Sequence, residues 1–98
     1  MDQITAKELE QKIKADKKVH IIDVREAFEV AEGKIPGAKH IPLGDIPGRL
    51  NELDKSEHYY IICQSGGRSA NACEFLRYHG YQVTNVAGGM MSWQGAVK

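Results

Sequence analysis

The sequence predicts an α/β fold: a mostly parallel central sheet with helices on both faces, in one domain covering residues 1–98. Three observations lead there. Val19-His-Ile-Ile-Asp-Val24 is almost continuously apolar, as strands are when a parallel sheet is covered on both faces. His58 to Cys63 is a second apolar, aromatic and β-branched run, Tyr81 to Val86 reads as a further strand, and segments with helical spacing lie between them, so strand and helix alternate. Crossovers between such strands are expected to be right-handed. Finally, 98 residues supply one core and leave no room for a second.

Taken in order, Ile4-Thr5-Ala6-Lys7-Glu8 opens a helix. Thr5 and Glu8 have the spacing of a capping box, and Ile4 can staple onto Leu9. Ile4, Leu9 and Ile13 share one face, opposite lysines and glutamates. Asp16-Lys17-Lys18 is a polar connection into the first strand, Val19–Val24. Glu26 to Glu32 is expected to be a short helix, ended by Gly33 as a left-handed cap. Ile35-Pro36-Gly37 is a turn and Ala38–Pro42 a short strand closed by proline. Leu43, Ile46, Leu50 and Leu53 recur at helical spacing, which predicts a second amphipathic helix from Asp45 or Ile46 to Leu53. Asp54–Glu57 is a charged turn.

After the strand ending at Cys63, Ser69 is placed as the cap of a helix from Ala70 to His79. Ala70, Cys73, Leu76 and Phe75 form its inner face, and Gly80 follows as its C′ residue. Tyr81–Val86 is a strand near one edge of the sheet. Ala87-Gly88-Gly89 is a tight turn, and Met90-Met91-Ser92-Trp93 begins a last short helix in which the methionines pack and Trp93 is a core or rim aromatic.

Composition narrows the function. The chain is 42% hydrophobic and 27% charged, with 13 basic and 13 acidic residues and no net charge. This argues against nucleic-acid binding through bulk charge. No apolar run approaches the roughly 18 residues of a membrane span. The polar start, Met1-Asp-Gln-Ile-Thr, lacks the pattern of a secretory signal, which favours the cytoplasm, where thiols stay reduced. Two cysteines, Cys63 and Cys73, are too few for a disulfide framework and have no zinc-ligand spacing. A bridge between them is not expected, since a disulfide needs Cα atoms within about 7 Å.

The segment Cys63-Gln64-Ser65-Gly66-Gly67-Arg68-Ser69 is where chemistry is expected. It sits between a strand and a helix, so the sulfur faces backbone N–H groups that no helical carbonyl satisfies. Those amides, the helix dipole and Arg68 would all favour the thiolate. Gly66 and Gly67 let successive N–H groups turn inward as an anion-binding nest. The alternative is an inert buried cysteine, the common fate of free cysteines in general; Cys73 is read in that way. Asp23, at the carboxyl end of its strand, stands where such sheets build sites; a structural ion pair of Asp23 or Glu26 with a nearby arginine is the equal alternative. His20, His40, His58 and His79 form no defensible Cys–His pair and are expected at the surface or as satisfied core residues.

Three motifs in this order resemble the rhodanese (sulfurtransferase) family over roughly Ile4 to Trp93. They are Asp23-Val-Arg25-Glu26 with Glu29, Gly33 and Ile35-Pro-Gly-Ala38; the six-residue loop from Cys63 to Arg68; and Gly88-Gly89-x-x-x-Trp93. The resemblance implies a single rhodanese-like domain that carries sulfur as a Cys63 persulfide. The donor would be a small anion such as thiosulfate, or another persulfide, and the acceptor cyanide, a thiol or a protein. Gln64, Ser65, Gly66, Gly67, Arg68 and Ser69 would hold the substrate, Arg68 orienting anionic donor groups or holding the loop, with Asp23 and Arg25 in support. No metal or cofactor is implied, and no nucleic-acid or membrane partner; a monomer is expected. Two departures stand out. Lys34 replaces a frequent histidine at a position that is structural in the family. Gln64 replaces a frequent second arginine, which lowers the expected efficiency with doubly anionic thiosulfate. The same chemistry could serve a persulfide carrier with a dedicated partner, or the fold could be a non-catalytic binding module. Phosphatases and arsenate reductases of related fold use a loop one residue longer.

Overall fold

Five strands hydrogen-bond in the order β1-β5-β4-β2-β3, every pair parallel. The computed structural model describes residues 2–16 and 18–98; Lys17, in the predicted polar connection, lies outside them together with Met1. The central strand β4 (His58–Ile62) pairs with β2 (His20–Asp23) on one side and β5 (Gln82–Ala87) on the other. Asp23 stands opposite Ile62, so the chain leaving β2 and Cys63 leaving β4 emerge together at one end of the sheet. β3 (Lys39–His40) closes the far edge beyond β2.

Side chains of β4 alternate between two cores, as strand geometry requires. Tyr59 and Ile61 join Ile22, Val24, Val83 and Leu76 on one face. Ile62 joins Leu9, Ile21, Ile35 and Val86 on the other, with Ile4, Tyr60 and Trp93 packed against it. The first core is covered by α3 (Gly67–Tyr78) and by the 3-10 helix Leu43–Glu52; the second by α1 (Ala6–Ala15). Helices on both faces of a parallel sheet are thus what these sequence patterns build.

Several local expectations hold. The Thr5/Glu8 capping box is formed at α1, each side chain accepting the other's backbone N–H at 3.0 and 2.9 Å. Lys34 is structural, its ammonium donating to the Ala38 carbonyl at 2.9 Å. Cys63 and Cys73 are both free, and Cys73 is fully buried in the first core.

Others need correction. Gln3–Thr5 is a strand, β1, which pairs with β5 and moves that strand one place in from the edge. Leu43–Glu52 is 3-10, in two segments meeting at Arg49; in an α-helix the ring of Pro47 would clash with the Leu43 carbonyl. The second helix, α2, is a single turn, Ala27–Val30; Gly33 beyond it has φ +139°, outside the left-handed helical well, and its amide donates to the Val30 carbonyl. Met90 packs on the second core, but Met91 is 70% exposed.

Candidate active site

The site begins where β4 runs out. Cys63 is 1% exposed, and its carbonyl and that of Gln64 both meet the last turn of the chain. There the amides of Met90 and Met91 donate to them at 2.8 and 2.9 Å. These amides open the 3-10 turn Gly89–Ser92, so the last turn of the chain is a platform for the cysteine loop. Gly89 makes the approach possible. A Cβ there would collide with the Cys63 carbonyl oxygen and lie 2.7 Å from the Gln64 carbonyl. From the sequence, the Gly88-Gly89 pair reads only as a turn; its contact with residues 63 and 64 is long-range and leaves no local signal.

The loop then folds back on the sulfur. Gly66, at φ +108°, is the residue that caps α3, and the helix starts at Gly67 rather than at Ala70. The Gly66 amide donates to Cys63 Sγ at 3.1 Å and the Ser69 amide at 3.3 Å. Ser69 is therefore not the cap. It lies inside the first turn, fully buried, with Oγ 3.3 Å from Sγ and 3.2 Å from the Gly66 carbonyl. Burial by itself would push the Cys63 thiol up; the Ser69 hydroxyl and the amides of Ser69, Gly66 and Ser65 together outweigh it and draw the thiol below its ordinary value. Burial dominates at Cys73, whose thiol is pushed up to about 12. The two thiols thus have opposite characters for stated physical reasons.

Of the two roles expected for Arg68, the contacts it makes are those of holding the loop. Its two terminal nitrogens donate to the two Glu29 carboxylate oxygens at 2.6 and 2.8 Å, a fork-to-fork ion pair. This pair holds the Glu29 carboxyl at about 2. The thiol is therefore lowered by the loop's own donors, while Arg68 ties the loop to α2.

The same bracket explains Asp23 and Arg25. Asp23 is fully buried and Arg25 is 4% exposed. Arg25 Nη2 and Nε donate to Asp23 at 2.9 to 3.1 Å, and further guanidinium N–H groups reach the Gly33 carbonyl at 2.8 Å and the Glu29 carbonyl at 3.4 Å. The structural alternative holds for this pair: Arg25 fixes the C-terminal end of α2 and the turn beyond it, and α2 presents Glu29 to Arg68. Glu26 makes no such pair among the described residues. The histidines stay away from the sulfur: His20 meets Glu57, His40 meets the Arg25 carbonyl and His58 meets Thr84 Oγ1.

One contributor is absent from the sequence reading. Asn85 of β5 is 4% exposed and donates Nδ2 to the Gly66 carbonyl at 3.3 Å, while its Oδ1 has no partner among the described residues. An amide at an inward position of a buried strand is the signal that could have found it.

The sequence matches the model of the Rhodanese-like domain family over residues 5–96. It is 50% identical over 96 residues to "Putative sulfurtransferase YtwF" of Bacillus subtilis, covering 98% of this chain and 93% of that protein. It is 42% identical over 94 residues to "Putative sulfur carrier protein YrkF" of the same organism, matching 95% of this chain but only 51% of that longer protein. The crystal structure of a rhodanese-like domain protein from Staphylococcus aureus superposes with a TM-score of 0.96 at 44% identity, covering 100% of this chain and 97% of that one.

Proposed function

The chain belongs to the rhodanese-like domain family, and on that premise we propose that it is a sulfurtransferase working through a persulfide on Cys63. The observation that carries this reading is the pair of amides, of Gly66 and Ser69, that donate to one sulfur at 3.1 and 3.3 Å, with the Ser69 hydroxyl 3.3 Å from it. They favour the thiolate, and the thiolate is the nucleophile. Cys63 Sγ attacks the outer sulfur of thiosulfate or of a donor persulfide. A new S–S bond forms, and the donor's own S–S bond breaks as sulfite or a thiolate leaves with the electron pair. The terminal sulfur of Cys63–S–S⁻ then lies in the cup of loop amides, which act on it as oxyanion-hole donors act on oxygen. A cyanide or thiolate acceptor takes that sulfur and Cys63 departs as thiolate. The two half-reactions predict ping-pong kinetics. A compartment that keeps thiols reduced, such as the cytoplasm, suits both of them.

Two observations favour the narrower reading of a persulfide carrier. Gln64 offers no charge to a dianion, and the Arg68 charge is already matched by Glu29. The relative named as a sulfur carrier is consistent with that role. Mass spectrometry after treatment with thiosulfate or polysulfide tests the proposal. One added sulfur atom should map to Cys63 and be discharged by cyanide or dithiothreitol; Cys63→Ser should gain none, and Cys73→Ser should gain it normally. Sulfur on Cys73, or on neither thiol, would end the assignment.

A further inference from the structure

The mouth of the cysteine loop is a shallow hollow of about 300 Å³ lined by Arg25, Phe28, Glu29, Glu32 and Gln64. Its cations are already matched. Arg25 is buried against Asp23, and Arg68 is held by both oxygens of Glu29. Glu32, which lines the hollow, and Glu26, which follows Arg25 and lies close enough to Arg68 for their charges to interact, remain; both are exposed, and neither forms an ion pair among the described residues. The rim is therefore net negative.

It also carries exposed apolar side chains. Large exposed apolar side chains number four among the described residues, and two of them flank Gln64. Phe28, 75% exposed, lines the hollow; Met91, 70% exposed, follows the platform and donates its amide to the Gln64 carbonyl. A small dianion is repelled by such a rim and gains nothing from Phe28 or Met91. A polypeptide gains from both. Its apolar atoms would cover Phe28 and Met91, and its cations would neutralise Glu26 and Glu32.

We propose that this rim docks a partner protein whose reactive cysteine is flanked by lysines or arginines, and that sulfur passes between that cysteine and Cys63. The proposal rests on the sulfurtransferase reading. In the forward step the partner thiolate bonds to the outer sulfur of Cys63–S–S⁻, and the bond between that sulfur and Cys63 breaks. Cys63 leaves as thiolate and the partner becomes the persulfide, with no net oxidation. Glu26 and Glu32 position the partner and take no part in the bond changes.

The test uses the full chain loaded with one sulfur on Cys63 and two synthetic peptides. Each carries a single cysteine, flanked in one by lysines and in the other by glutamates. Transfer is read as peptide persulfide by mass spectrometry, with each rate normalised to the peptide's reactivity towards a small neutral disulfide. The lysine peptide should be faster by about tenfold at low ionic strength, and high salt should shrink the difference. The double variant Glu26→Lys, Glu32→Lys should reverse the preference, with a cooperative melting transition above the assay temperature showing that it is folded. Equal normalised rates, or a preference that the double variant leaves intact, would overturn the docking rim alone, provided 2-mercaptoethanol still discharges the loaded sulfur. A Cys63 that cannot be loaded would overturn the rim and the sulfurtransferase reading together.

Discussion

Gly89→Ala is the sharpest probe of how the cysteine loop is held. The new methyl group would lie 2.7 Å from the Gln64 carbonyl carbon, where carbon atoms rest at about 3.5 Å or more. The backbone on one side must therefore move by roughly 0.8 Å. The movement falls on the carbonyls of Cys63 and Gln64, which Met90 and Met91 clamp, so it carries the sulfur away from the Gly66 and Ser69 amides. A misplacement of about 1 Å at reacting groups costs on the order of a hundredfold in rate. The left-handed φ of +54° adds about 1–2 kcal/mol of strain for a residue with a Cβ. Gly37→Ala separates the two effects. Its φ is +83°, yet nothing lies within 4 Å of the added Cβ. Both variants should melt lower, Gly37→Ala by roughly 5–10 °C. Only Gly89→Ala should slow iodoacetamide alkylation of Cys63 and sulfur loading, by about a hundredfold per folded molecule. Wild-type alkylation and loading in folded Gly89→Ala would refute the platform argument.

Two further outcomes are expected. Ser69→Ala removes one donor from Cys63 Sγ, so the thiol should ionise at higher pH; alkylation at neutral pH should fall about tenfold, as the loss of one charge-assisted hydrogen bond of about 1.5 kcal/mol implies, while at high pH the two proteins should react alike. The Glu29 carboxyl is held at about 2 against an ordinary 4.5. Its folded value is the lower one, so the stabilisation is complete above pH 4.5 and is lost as pH falls from there towards 2. Melting temperatures of wild type and Glu29→Gln should therefore differ near neutrality and converge through that window, and a constant gap down to pH 2 would remove the Arg68–Glu29 pair from the stability of the loop.

Legibility in the sequence followed the range of the interactions. The Thr5/Glu8 box, the apolar strands around Ile22 and Ile61 and the burial of Cys73 are local or periodic properties, and each is found. The amides on Cys63 follow from a strand–glycine–helix junction, also a local pattern. What the reading missed depends on partners far along the chain. Arg68 looks like a free cation until Glu29, 39 residues earlier, is folded against it. Gly89 looks like any turn glycine until the loop at Cys63 arrives beside it. Gln3-Ile4-Thr5 is too short to show a strand period, and only its pairing with Asn85–Ala87 makes it one. Ser69 was a reasonable cap by residue type, but Gly66 reaches a positive φ more easily and starts the helix three residues sooner than Ala70.

The two margins of the sheet have a consequence for behaviour in solution. β1 contributes three residues and β3 two, and β3 carries Lys39 with Pro42 close behind. Neither offers the long flat row of free amides and carbonyls on which another molecule could align its own backbone. The longer strands β4 and β5, rich in the residues that template fibrils, are sheltered between them. Crowded copies of this chain should accordingly resist self-templated stacking for as long as the native arrangement of strands persists.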